Sequence, residues 1–196
     1  MLDCIPMITG IIPAAGTSSR MGVWKPMLEV SGKPMIFHVI EALISVTSEV
    51  IIVTGYRSDE LESAVAPQYP GIRFARNYGY QRGMFSSIQT GMRLLGDAEV
   101  FLIVHADMPL LRHTHIASLL SYWESLTDAA DVLRPYVDGV PGHPVVCRRS
   151  VAETALGEQA HASMEQVLSR HAVTLYHASD PAYTTDIDTP EAFLRL

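Results

Sequence analysis

Ile8 to Ile12 form an apolar run that stops at Pro13 and gives way to Ala14-Ala15-Gly16-Thr17-Ser18-Ser19, small residues in succession. The run reads as a buried strand, and no core needs the small residues behind it. Small side chains let the backbone approach a ligand closely, and free N–H groups in such a loop can wrap phosphate oxygens. Arg20 and Lys25 follow at spacings that suit two cations closing over one anion. The plainer alternative is a strand-to-loop junction with two solvated cations. The elements that follow favour the phosphate loop.

Pro34 opens a helix with Ile36, Phe37, Ile40, Leu43 and Ile44 on one face, after a tight turn at 30–34. Val50 to Thr54 reads as a second buried strand. Ser58 or Asp59 caps the next helix, which turns Leu61 and Val65 inward. Ile72 to Ala75 is a short third strand, Asn77 to Gly83 a polar loop, and Met84 to Leu95 a helix stopped by Gly96, with Met84 and Met92 expected in the core. Val100 to Val104 is apolar throughout and runs into His105-Ala106-Asp107-Met108-Pro109. Thr114 caps a helix carrying Ile116, Leu119, Leu120 and Trp123 on one face. Strands are expected at Val132–Leu133, Val145–Cys147 and Val173–Tyr176, a helix around Met164, Val167 and Leu168, and a last one opened by Thr189-Pro190-Glu191.

Strands alternating with amphipathic helices predict an α/β fold, Rossmann-like and three-layered, with a mostly parallel central sheet. A length of 196 residues, without repeats or a linker-like composition shift, predicts one domain over 1–196. Ligands in such sheets bind at the carboxyl ends of the strands. That rule puts the loop after Ile12 and the turn at Asp107 on one rim. A carboxylate there, beside a phosphate loop, suits Mg²⁺, which takes one or two carboxylates together with substrate phosphates. Asp186-Ile187-Asp188 offers a second carboxylate, and Asp188 is preferred over Asp186. Each aspartate also has a purely structural reading, as a turn cap or a helix N-terminal charge.

The formal charge of −7 argues against nucleic acid as a partner. It is unevenly spread: eight Lys/Arg face seven Asp/Glu up to residue 96, and six face fourteen beyond it. The two lysines of the chain, Lys25 and Lys33, both fall beside the small-residue loop, as a site needing compact point charges would require. No apolar run has the length of a membrane span and no secretory leader is visible, so no membrane partner and a cytoplasmic location are expected. Cys4 and Cys147 suggest neither a disulfide framework nor zinc. The eight histidines show no ligand spacing.

The pattern Ala14-Ala15-Gly16-x-x-x-Arg20-Met21-Gly22-x-x-Lys25 resembles the signature of the nucleotidyltransferases that activate the molybdenum cofactor. The resemblance covers nearly the whole chain. Asn77 to Gly91 is similar to the family's base-and-ribose segment, Ala106 to Pro109 to its metal-binding turn, Gly142-His143-Pro144 to its second-substrate segment, and Asp186 to Pro190 to its closing motif. Ala14 and Ala15 before Gly16 resemble the cytidylyltransferase branch, where a methyl at Ala15 would fill space a purine needs.

The resemblance implies transfer of CMP from CTP to the terminal phosphate of molybdopterin, with Mg²⁺ as cofactor. It also implies a molybdoenzyme as a receiver of the product. Arg20 would hold the β- and γ-phosphates and Lys25 the charge on the α-phosphate. Asp107 and Asp188 would hold the metal. Ala14, Ala15, Gly16, Ser18, Asn77, Gly83, Ser86 and Ser87 would bind the nucleotide, and His143 would face the acceptor. Pro13, His105 and the stretch Gly157 to Ser163 depart from the family's pattern, the last near the second substrate. A sugar-1-phosphate nucleotidyltransferase and a non-catalytic nucleotide sensor are the competing readings.

Overall fold

The computed structural model describes residues 7–18, 23–126, 130–159 and 161–194. In chain order the elements are β1 (Ile8–Pro13), β2 (Glu29–Val30), β3 (Lys33–Pro34), α1 (Met35–Ile44), β4 (Glu49–Thr54), α2 (Ser58–Val65), β5 (Arg73–Arg76), α3 (Met84–Met92), β6 (Val100–Ile103), α4 (His113–Ser125), β7 (Val132–Val137), β8 (Val140–Pro141), β9 (Val145–Arg148), α5 (Arg149–Gly157), α6 (Met164–Leu168), β10 (Val173–His177) and α7 (Pro190–Phe193).

The main sheet runs in the order β10-β7-β9-β6-β1-β4-β5, with β8 hydrogen-bonded to β7. β6, β1, β4 and β5 pair in parallel. β9 is antiparallel to both of its neighbours, and β10 is parallel to β7. Every residue of β1 is buried, as a strand covered on both faces requires. α1, α2 and α4 pack on one face through Ile36, Ile40, Leu43, Leu61, Val65, Ile116 and Leu119. α3, α5 and α6 cover the other through Phe85, Ile88, Met92, Val151, Ala155 and Val167. This is the three-layer α/β architecture expected from the sequence.

α3 lies unusually close to the sheet because Gly91 faces it: a Cβ there would meet Ile11 Cγ2 at 2.6 Å and Val53 Cγ2 at 3.0 Å. That approach seats the last turn of α3 on Ile11 of β1 and Val53 of β4. Pro13 is accommodated as the last residue of β1, where the ladder is ending.

Several expectations need correction. Ile44 is 46% exposed and Met84 51% exposed, so neither belongs to the core. α4 starts at His113, and its cap is the His115 Nδ1 atom accepting from the Arg112 N–H at 3.1 Å, with Thr114 inside the helix. α2 is preceded by Arg57 in the left-handed region, φ 54°, without a side-chain cap from Ser58 or Asp59. α5 has no counterpart in the sequence reading.

Candidate active site

The loop after β1 is tied down at both ends. Ala14 N–H donates to Val53 O at 2.8 Å, and Tyr56 N–H donates to Ala15 O at 3.0 Å. Further along, the Lys25 N–H donates to Ser18 Oγ at 3.1 Å, closing the loop on itself. Gly55 makes the second attachment possible: a Cβ there would stand 2.8 Å from Ala15 Cβ and 2.9 Å from Tyr80 Cβ. The Ala15 methyl therefore packs against β4 and is buried, while Ala14, Gly16, Thr17 and Ser18 line a cavity of about 460 Å³. Across the cavity stand Gly83 and Met84 at the start of α3, His105, Ala106 and Asp107 after β6, and Asp188 near the carboxyl end of the chain.

Lys25 begins a single 3-10 turn, with Pro26 behind it, and its side chain is only 11% exposed. Its Nζ donates to Asp107 Oδ2 at 3.0 Å and, in a shorter contact, to Asp188 Oδ1. Burial by itself would lower the ammonium's pKa. The hydrogen bond to Asp188 and the charge and hydrogen bond of Asp107 outweigh burial and hold the pKa above its ordinary value. Lys25 is therefore a permanent cation.

The backbone explains how Asp188 reaches this place. Ile187 N–H donates to Asp107 O at 2.9 Å, and the Ile187 side chain is fully buried against Val30 and Met35. With Ile187 turned inward, Asp188 is brought to the lysine. Asp186 has its pKa raised by burial and by the nearby charges of Asp188 and Asp107.

Asn77, Ser86 and Ser87 are buried together and do not line the cavity. Asn77 Nδ2 donates to both serine Oγ atoms at 3.0 Å, and Asn77 Oδ1 accepts from Gly79 N–H at 3.0 Å. Ser86 Oγ in turn donates to Gly83 O at 2.8 Å. The cluster is a brace that fixes Gly83 and the amino end of α3 beside the loop.

His143 also lies outside the cavity lining. Its ring stacks on His105 at 3.9 Å, and Nδ1 lies 3.3 Å from Ile103 O, which makes Nδ1 the protonated nitrogen because a carbonyl only accepts. Burial, with help from His105, pushes its pKa down to about 3, so the ring is neutral. His105 does line the cavity, and burial lowers its pKa against the pull of Asp107, Asp186 and Asp188. Arg20 lies outside the described residues. The cavity-lining residues that sequence reasoning did not assign to the site are Pro13, Thr17, Pro26, Met84 and His105, with Ala106 named only within the metal-binding turn. Met84 was recoverable from its place directly after Gly83, at the foot of a helix facing the loop.

Among the described residues no group of three or more His, Cys, Asp or Glu is arranged to hold a metal ion unaided. Two carboxylates of distant origin already share one cation, the Lys25 ammonium. Oxygen donors of this number fit a hard divalent ion whose remaining ligands come from phosphates or water.

A small-residue loop, a buried lysine between two aspartates and the foot of α3 thus meet at the carboxyl rim of a parallel sheet. Residues 10–175 match the MobA-like NTP transferase domain. The chain belongs to that family, and it is 32% identical over 196 residues to the molybdenum cofactor cytidylyltransferase of Escherichia coli (strain K12). That alignment covers 98% of this chain and 94% of the relative. The bifunctional protein GlmU of Brevibacillus brevis is 27% identical over 150 residues, 74% of this chain but 32% of that protein. Among solved structures, Rv0371c from Mycobacterium tuberculosis H37Rv superposes with a TM-score of 0.83 at 18% identity, covering 97% of this chain and 96% of that one. The same mycobacterial protein in complex with manganese gives 0.77 at 16% identity, over 97% of each chain. At these identities the structural likeness shows the fold. No helix among the described residues is long and apolar enough to cross a membrane.

Proposed function

We propose that this nucleotidyltransferase, acting as one domain, transfers CMP from CTP to the terminal phosphate of molybdopterin and releases pyrophosphate. The observation that carries the reading is the meeting of Lys25 with Asp107 and Asp188 at the wall of the loop-lined cavity. The choice of CTP and of molybdopterin is supported by the match, over almost the whole of both chains, to a cytidylyltransferase of the molybdenum cofactor.

An oxygen of the acceptor phosphate attacks the α-phosphorus in line. The bond from that phosphorus to the bridging oxygen breaks, and the electron pair leaves with pyrophosphate. Little covalent chemistry falls to the protein, so the rate comes from positioning and charge neutralisation. The backbone at Ala14, Gly16 and Ser18 lies against the nucleotide. Asn77, Ser86 and Ser87 act one step back, by holding Gly83 in place. Lys25, released from one aspartate as a triphosphate enters, meets the charge that builds on the α-phosphate. Arg20 is assigned the β- and γ-phosphates on its sequence position. Asp107 and Asp188 would hold Mg²⁺, which supplies further charge neutralisation when bound.

The test is pyrophosphate release with Mg²⁺, each nucleoside triphosphate in turn, and molybdopterin or a sugar 1-phosphate as acceptor. Release confined to CTP with molybdopterin is the expected result. Release with a sugar 1-phosphate would move the chain to the competing reading, a sugar-1-phosphate nucleotidyltransferase. Tight CTP binding without release from any acceptor would make it a sensor.

A further inference from the structure

The rim of the sheet carries a second polar row beyond the loop cavity. Strand order places β9 beside β6 and β7 beside β9. His105 follows β6, His143 precedes β9, and Arg134 lies in β7. Leu133 packs into the layer of α1 and α4, whereas Val132 packs into the layer of α3, α5 and α6. Alternation along the strand puts Arg134 on the Val132 face, the side on which α3 borders the cavity.

In-line transfer demands that the acceptor enter opposite the departing pyrophosphate. On the β4 side of the loop Gly55, Ala15 and Tyr80 are in contact, and the loop cavity itself reaches across to His105, beside β9. Under the nucleotide assignment made above, on which this inference rests, the acceptor takes the His105 side of the cavity, over β9 and β7. The two histidines bordering that route are half-buried and stacked on each other, and His143 is neutral. Arg134 is the cation whose field acts on both of them.

Its surroundings are unusual for a structural arginine. The side chain is only 14% exposed, yet its ion-pair partner, Glu165 in the first turn of α6, is 69% exposed. Arg134 Nη1 donates to Glu165 Oε1 at 2.7 Å, and Nε donates weakly to Gly142 O at 3.4 Å. An exposed carboxylate is a cheap partner to give up, since it returns to full hydration. A guanidinium, once free, matches two oxygens of a phosphate.

We propose that Arg134 binds the phosphate of the acceptor, exchanging Glu165 for it when the acceptor enters over β9 and β7. Neighbouring strands lie about 4.8 Å apart, so β7 stands roughly 10 Å from β6. Arg134 therefore serves the acceptor's side of the reaction, while Lys25 serves the nucleotide's.

Two measurements test this. In steady-state kinetics with Mg²⁺, CTP and molybdopterin, Arg134→Gln is expected to raise KM for molybdopterin by about tenfold or more, leave KM for CTP within about twofold, and be partly rescued by Arg134→Lys. Glu165→Gln, which removes the competing anion, is expected to lower KM for molybdopterin. An unchanged KM for molybdopterin in Arg134→Gln, or a rise in Glu165→Gln that matches it, would overturn the proposal. The second measurement does not depend on turnover. In CTP-saturated protein the Arg134 Nε–H resonance should shift on titration with inorganic phosphate, at lower phosphate in Glu165→Gln than in wild type. A resonance insensitive to phosphate sinks the proposal. A shifted resonance without turnover of molybdopterin would sink the acceptor assignment instead and leave Arg134 as a phosphate site.

Discussion

Lys25 and Asp107 stand 82 positions apart in the chain, and the lysine Nζ lies 3.0 Å from the aspartate Oδ2. Asp188 closes on the same ammonium from a further 81 positions along, aimed by Ile187, whose N–H donates to the Asp107 carbonyl. One buried cation thus holds two acids that would otherwise repel each other. Under the proposed function, Asp107 and Asp188 would hold a divalent ion once a triphosphate draws the lysine away.

Replacing Lys25 with alanine should lower kcat by about a hundredfold to a thousandfold, the usual cost of losing one charge-stabilising donor. CTP affinity should fall far less, because the lysine's role falls in the transition state. Single-turnover kinetics set beside equilibrium CTP binding separate the two. Equal losses in both would remove the transition-state role.

The two candidate acids after residue 185 should differ. Asp188→Asn should lower turnover by about a hundredfold and raise the Mg²⁺ concentration needed for half-maximal rate. Asp186→Asn, which removes a neighbouring charge and no contact to Lys25, should cost less than about tenfold. A Mg²⁺ titration of both variants checks the order, and a reversed order would exchange their roles.

Gly55→Ala should damage the loop through packing alone. The added Cβ would meet Ala15 Cβ at 2.8 Å and Ala15 O at 2.9 Å, and backbone cannot give way as a flexible side chain does. The expected effects are a higher KM for CTP and a loss of about 1–3 kcal/mol of stability, read by chemical denaturation.

Acid should destabilise the fold in part through His143. Its folded pKa, about 3, lies below the value of about 6.5 expected in the unfolded chain. Above pH 6.5 both states are neutral there and the full contribution is present. As pH falls from 6.5 toward 3 the unfolded state takes up the proton first, so stability is lost across that window. His143→Gln should flatten the slope of unfolding free energy between pH 6.5 and 5. An unchanged slope would contradict the burial argument.

Much of this arrangement was legible in the residues. Buried parallel strands announce themselves as unbroken apolar runs, and Ile8–Ile12 and Val100–Val104 did so. The rule that ligands gather at strand carboxyl ends then brought Asp107 to the loop. What escaped the sequence depended on tertiary contacts. α5 is a nine-residue helix with only Val151, Ala152 and Ala155 buried, too weak a stripe to stand out. The cap of α4 is a histidine ring, which no capping preference anticipates. Asn77, Ser86 and Ser87 were legible as a group but not in their arrangement, because only the fold shows their polar atoms spent on one another. The isolation of His143 from the cavity likewise follows from its stacking on His105, a contact between the segment before β9 and the one after β6 that spacing does not reveal.

The shared metal position is tested most directly by a crystal structure with Mn²⁺ and a non-hydrolysable CTP analogue. Anomalous density about 2.1 Å from carboxylate oxygens of both Asp107 and Asp188, with Lys25 Nζ moved onto the α-phosphate, is the expected result. A triphosphate bound elsewhere, or a metal touching neither aspartate while Lys25 stays between them, would contradict it.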